Sequence, residues 1–209
     1  MTELEKKLLL TEEAYAYLME HLSYERPLIQ KPIITQINYY FDTDDFSMDR
    51  QNITCRVRLK DGKYQATMKK HASGADQSTE TDLESCDGLE NNAFTDMGLK
   101  LQGELLTKRC VIAKEAHCEA VLDKNEYLGY TDYELEIEYL PKHEKEARSL
   151  QAAILDSLPC SARFISYKEN SGPRPKVPSK SNRFFERRKK NDRYTSRNLC
   201  AEERKGPDH

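Results

Sequence analysis

Glu3, Glu5 and Lys7 occupy alternate positions at the start of the chain, and Asp132, Glu134, Glu136 and Glu138 repeat that spacing far downstream. Glu80, Asp82 and Glu84 form a third acidic row. Bases take the same spacing at Arg56, Arg58 and Lys60, with Lys69 on the next stretch and Arg109 inside a fairly apolar one. Alternate positions share one face of an extended strand. Clustered carboxylates without His or Cys suit a hard cation such as Mg2+ or Mn2+, which takes oxygen ligands. Clustered Arg and Lys bind oxyanions through charge-assisted hydrogen bonds, and Arg grips phosphate with two parallel ones. Acids and bases facing one cavity therefore imply a polyanion delivered with metal, a phosphate chain. Neither set is stable when buried alone, because an unpaired buried charge is strongly destabilising.

The elements that must carry these residues are strands. Glu3 to Leu10 reads as the first, followed by Thr11 as a helix cap and a short amphipathic helix over Ala14, Leu18 and Leu22. Strands are expected at 35–43, 53–60 and 63–70, the last two joined by the hairpin turn Asp61-Gly62. Further strands are expected at 78–85, 105–114, 118–123 and 131–140, and a final one at 162–168. A short helix or irregular turn is expected at 88–99, and an amphipathic helix at 143–157. Asp123 reads as a turn residue or a weak site candidate, Glu138 and Lys60 as solvated strand ends. A sandwich would turn the charged faces to water. The segregation of acids and bases onto different strands argues instead for a sheet closed with its charges inward and its apolar face covered by helices.

Composition agrees with two regimes. The chain has 209 residues, 37% apolar and 33% charged, with a net charge of −3. Residues 171–209 hold 12 Lys/Arg against 5 Asp/Glu, whereas the first 170 hold 21 against 31. The proline-rich and basic stretch from Ser171 is expected to be a mostly disordered tail. Arg187-Arg188-Lys189-Lys190, flanked by aromatic residues, leaves contact with nucleic acid or an acidic partner as a lesser expectation. Six cysteines without CxxC spacing signal neither a zinc site nor a disulfide framework. No leader peptide or membrane-length apolar run is seen, so a cytoplasmic protein with no membrane contact is expected. No P-loop or nucleophile elbow competes with the charged strands.

Glu3-x-Glu5-x-Lys7 resembles the ExExK signature of the CYTH superfamily, the triphosphate tunnel metalloenzymes. The supporting series follows in order: Tyr40-Phe41-Asp42-Thr43, Arg56-x-Arg58, Lys69, Glu80, Arg109, Asp123, Glu134-x-Glu136 and Lys168. It covers roughly residues 1–170, and the run from Leu122 to Glu136 is most similar to the branch found in Gram-positive bacteria. The resemblance implies a mainly β (α+β) fold, an eight-stranded antiparallel closed barrel with a charged lumen and flanking helices. It implies a tunnel domain over 1–170 and a separate tail over 171–209. It also implies metal-dependent hydrolysis of a triphosphate, inorganic triphosphate ranking first. Thiamine triphosphatase, nucleoside or RNA triphosphatase and adenylate cyclase are the alternatives within the superfamily. A non-catalytic polyphosphate-binding module is the alternative outside it. By position, Lys7, Arg56, Arg58, Lys69, Arg109 and Lys168 would hold phosphate. Glu3, Glu5, Glu134 and Glu136 would be the catalytic carboxylates and, with Glu80, the ligands of Mg2+ or Mn2+.

Overall fold

A computed structural model describes residues 4–24, 33–71, 78–83, 87–159 and 177–203. Glu3, Glu84, Lys168 and the expected strand 162–168 lie outside the described residues. The chain divides into two units, residues 1–177 and 178–209.

The first unit is built on eight antiparallel strands: β1 (Leu4–Leu10), β2 (Ile34–Asp42), β3 (Ile53–Lys60), β4 (Lys63–His71), β5 (Ser78–Asp82), β6 (Lys100–Lys114), β7 (Cys118–Tyr127) and β8 (Tyr130–Tyr139). They pair in the order β1-β8-β7-β6-β2-β3-β4-β5. Two tight hairpins join β3 to β4 and β7 to β8, the first at the turn expected from sequence. Asp61-Gly62 and Leu128-Gly129 have all four residues at positive φ (51°, 72°, 48° and 77°), the backbone of a type I′ turn. Strands β6 and β7 run further than expected. β6 begins five residues early because a bulge opposite Tyr40/Phe41 absorbs Gln102, next to Gly103, whose φ of 144° suits glycine. β7 continues to Tyr127, so Asp123 lies in mid-strand opposite Arg109 and Glu134, not in a turn.

The alternation in sequence sends apolar side chains to one face. Leu135 and Ile137 of β8, Ala120 and Leu122 of β7, and Cys110 and Ile112 of β6 are buried there. Helices α1 (Glu12–Tyr24) and α4 (Glu144–Asp156) cover that region with Ala14, Leu18, Ala147 and Ile154. Thr11 caps α1 as expected, its Oγ1 accepting from the Ala14 amide at 3.1 Å. A second core joins Phe41, Cys55, Val57 and Ala66 to Phe94 of α3 (Asn92–Asp96) and to Leu99. Asp42 pins the one-turn α2 (Ser47–Arg50) by accepting from the amides of Thr43, Met48 and Asp49 at 2.7–2.9 Å. Its place in the Tyr-Phe-Asp-Thr series is thus architectural.

The expected barrel is, among the described residues, a curled sheet without a ladder between its edges β1 and β5. The five-residue β5 pairs with β4. Curvature nevertheless brings the two ends within electrostatic range, since Lys69 on β4 feels the charges of Glu5 and Lys7 on β1.

The second unit contains α5 (Lys180–Glu203), which departs from the disordered tail expected there. After Pro178 the sequence holds no glycine or proline until Gly206 and is rich in helix-forming Arg and Lys. Ser179 caps the first turn, its Oγ accepting from the Asn182 amide at 3.2 Å, and Arg188 pairs with Asp192 one turn on. Phe184 and Phe185 are both fully buried. No helix among the described residues is long and apolar enough to cross a membrane.

Candidate active site

Cross-strand partners share a face, so the register carries one polar surface across the whole sheet. Lys7 stands opposite Glu136, and Glu5 opposite Glu138. Glu134 stands opposite Asp123, and Asp123 opposite Arg109. On the other side Arg58 lies between Asn38 and Gln65, Arg56 between Tyr40 and Thr67, and Lys69 opposite Glu80. Asp123, Asn125, Thr107, Glu134, Glu136 and Asn38 are all at most 2% exposed. Buried polar groups at this density must satisfy one another or a ligand.

Arg109 is the hub of the acidic half. Its Nε and Nη2 donate to the two Asp123 oxygens at 2.9 and 2.7 Å, Nη2 also donates to Glu136 Oε2, and Nη1 to Glu138 Oε1 at 3.0 Å. Lys7 is the second cation, with Nζ 2.9 Å from Glu136 Oε1, 3.0 Å from Glu5 Oε2 and 4.0 Å from Glu134 Oε1. Burial by itself would lower the Lys7 ammonium, but the charges of Glu136, Glu134 and Glu5 outweigh it and raise it well above the ordinary lysine range. The Arg109 guanidinium is likewise raised by its carboxylates against the opposing effect of burial. Among the described residues, five carboxylates thus surround two cations here.

The basic half has the opposite balance. Arg56 donates to Glu80 Oε1 at 2.7 Å and to Thr67 Oγ1 at 3.0 Å, and Lys69 Nζ lies 3.9 Å from Glu80 Oε2. Arg58 donates its Nε to the neutral amide oxygen of Asn38 at 3.1 Å. Burial, then the like charge of Arg56, pushes the Arg58 guanidinium down to about 10. The Lys69 ammonium is lowered chiefly by burial, and the Glu80 carboxyl is held below its ordinary range by Arg56 and Lys69 despite burial. Among the described residues, three cations here face one carboxylate, the arrangement of an anion site.

The structure therefore brings Glu5, Glu134 and Glu136 together, and Arg56, Arg58 and Lys69 together. Glu80 joins the bases rather than the acidic cluster. Lys7 and Arg109, grouped by sequence with the phosphate ligands, lie among the carboxylates. Two residues of the site were undervalued in the sequence. Asp123 admits a turn reading because a turn expected over Asn125 to Tyr130 follows it, although its alternation with Val121 and Asn125 points the other way. Glu138 was discounted for its nearness to Pro141, although it continues the Glu134-Glu136 row. Lys60 is exposed beside its hairpin, as expected.

The fold has counterparts in known proteins. The family model of the CYTH domain matches residues 1–155. This chain belongs to the CYTH domain family. A similar protein is the candidate triphosphatase YjbK of Bacillus subtilis (strain 168), 30% identical over an alignment of 156 positions, with 68% of this chain and 80% of YjbK covered. A crystal structure of a candidate adenylate cyclase from Bacillus halodurans superposes with a TM-score of 0.59 at 26% identity, covering 88% of this chain and 97% of that one. The candidate adenylyl cyclase HpAC1 from Hippeastrum, described by its dominant triphosphatase activity, shares the CYTH fold at a TM-score of 0.56 and 20% identity, over 75% of this chain and 87% of that one.

The acidic cluster is of the donor type that a divalent cation takes, although among the described residues no three side chains are already placed to hold one. Its donors are all carboxylate oxygens, on adjacent strands, and oxygens of Glu5, Glu134 and Glu136 already converge on one cationic atom, Lys7 Nζ.

Proposed function

We propose that this chain is a divalent-metal-dependent triphosphatase that binds inorganic triphosphate in its charged lumen. The observation that carries the reading is the facing of two unequal charge clusters. Glu5, Glu134, Glu136, Glu138 and Asp123 gather around Lys7 and Arg109, while Arg56, Arg58 and Lys69 share Glu80. A simple anion-binding module has no use for the first cluster, and a simple cation site none for the second. The name of the relative YjbK points the same way.

In this reading Arg58, Arg56 and Lys69 hold the phosphate chain, with Lys7, Arg109 and Lys168 completing the basic set. Glu3, Glu5, Glu134 and Glu136 hold the cation, and Glu80 keeps Arg56 and Lys69 in place beside it. Bound Mg2+ or Mn2+ supplies charge neutralisation on the phosphate oxygens. A carboxylate of the acidic half orients a water for in-line attack on the terminal phosphorus. The water oxygen forms the new P–O bond, the bridging P–O bond breaks, and diphosphate leaves with the electron pair, one water proton staying on the released phosphate and the other passing to the diphosphate. The bases offset the charge that grows on the leaving group.

The test is a panel of triphosphate, thiamine triphosphate, ATP, GTP and longer polyphosphate with Mg2+ or Mn2+, following both phosphate and cyclic AMP. Triphosphate is expected to be turned over best, and Glu5→Gln to abolish metal-dependent turnover in a folded protein. Phosphate release undiminished in that variant overturns the assignment. Cyclic AMP as the main product from ATP would favour a cyclase, the activity named for the Bacillus halodurans relative.

A further inference from the structure

Lys7 stands where a divalent cation would find its ligands. One ammonium nitrogen has oxygens of three separate carboxylates at 2.9, 3.0 and 4.0 Å, from Glu136, Glu5 and Glu134. Glu136 lies directly opposite Lys7 across the β1–β8 ladder, and Glu5 lies two residues before it on the same face. Among the described residues no group of three His, Cys, Asp or Glu side chains is already disposed to hold a metal ion. The carboxylates are instead collected around the ammonium. Arg109 does not share this position with Lys7, because its planar fork is anchored on Asp123 by two parallel hydrogen bonds and reaches Glu136 through the other oxygen.

We propose that Lys7 and a divalent cation compete for the same carboxylates, Glu5, Glu134 and Glu136, and that the cation, by taking this place, releases the Lys7 ammonium to a phosphate oxygen. The inference rests on the metal-dependent reading above and adds an order to it. A divalent cation brings two charges to the cluster where Lys7 brings one. The four-carbon lysine stem lets Nζ swing away while β1 stays paired with β8. Lys7 then changes from a counter-ion of the acidic half to a ligand of the phosphate chain. Metal and phosphate chain must consequently bind with positive coupling, each favouring the same position of Lys7.

Mn2+ titration by calorimetry, on the full chain without phosphate, tests this directly. Lys7→Gln is expected to bind Mn2+ about tenfold tighter than the wild type, a difference of about 1.4 kcal/mol. Triphosphate is expected to tighten Mn2+ binding in the wild type and to do so much less in the variant. Equal or weaker Mn2+ binding by a variant that melts cooperatively overturns the competition and leaves the metal reading standing. Absence of Mn2+ binding by both proteins, with or without triphosphate, overturns both. Should Lys7→Gln fail to fold, wild-type protein carrying 15N-lysine decides the matter. Mg2+ alone must move the Lys7 Nζ resonance, and an unmoved resonance with Mg2+ bound overturns the proposal.

Discussion

Asp123, fully buried, and Arg58, half-buried, lie on the same face of the sheet, yet their substitution has different consequences. Asp123 is fully buried and takes two hydrogen bonds from Arg109, so Asp123→Asn removes charge from the centre of a closed network. Breaking such a buried pair from one side costs about 3 kcal/mol, here because the guanidinium loses the carboxylate that anchors its fork while Glu136 and Glu138 still balance its charge. Urea denaturation of Asp123→Asn should show that loss, and an unchanged midpoint would refute the structural role given to this pair. Arg58 has the neutral Asn38 for a partner and Arg56 as a neighbouring like charge. Arg58→Ala should therefore leave the urea midpoint nearly unchanged while weakening triphosphate binding by roughly ten- to a hundredfold, the value of a charge-assisted contact. Calorimetry with triphosphate measures it, and a binding constant within twofold of wild type would remove Arg58 from the anion site.

At the scale of elements, β5 is the most weakly attached strand of the sheet. It has five residues, ladder partners on β4, and exposed side chains at 79–82. Its side-chain ties to the sheet include the ion pair of Glu80 with Arg56, extended by Lys69, and the hydrogen bond that Asp82 accepts from Gln65 at 2.9 Å. The Glu80 carboxyl is held below its ordinary range when folded, so the unfolded chain binds the proton more readily. Stability from this pair is accordingly present above the ordinary glutamate range and is lost as pH falls through the depressed folded value. Acid titration of thermal stability should show a drop below about pH 4 that is shallower in Glu80→Gln. Identical profiles for the two proteins would mean that Glu80 contributes nothing to holding β5. The edge β1 differs, because its apolar face packs Leu4 and Leu8 against the α1/α4 core while its polar face carries Glu5 and Lys7.

For the whole molecule, the lumen is a charge dipole folded inward: acids on β1, β7 and β8 face bases on β3 and β4. A polyanion entering it is drawn by several charges at once, and screening weakens such attraction as the Debye length shrinks from about 10 Å at 0.1 M salt to about 3 Å at 1 M. Triphosphate affinity measured at constant free Mg2+ should fall steadily over this range. An affinity indifferent to salt would contradict a charge-lined tunnel.

Much of this was readable in the chain. Alternation of period two placed Glu5 with Lys7, Arg56 with Arg58, and Glu134 with Glu136, because a strand admits no other arrangement of neighbours two apart. The hairpin glycines Gly62 and Gly129 were equally plain, since few other residues tolerate their positive φ. Sequence also named the family through the order of its charged motifs. It could not pair residues across strands. That Arg109 is clasped by Asp123, Glu136 and Glu138, that Lys7 lies with the acids, and that Glu80 lies with the bases follow from register and curvature, set by contacts between residues 14 to 129 positions apart. Single-strand periodicity tells which face a charge is on, and only the packed sheet decides which opposite charge it meets.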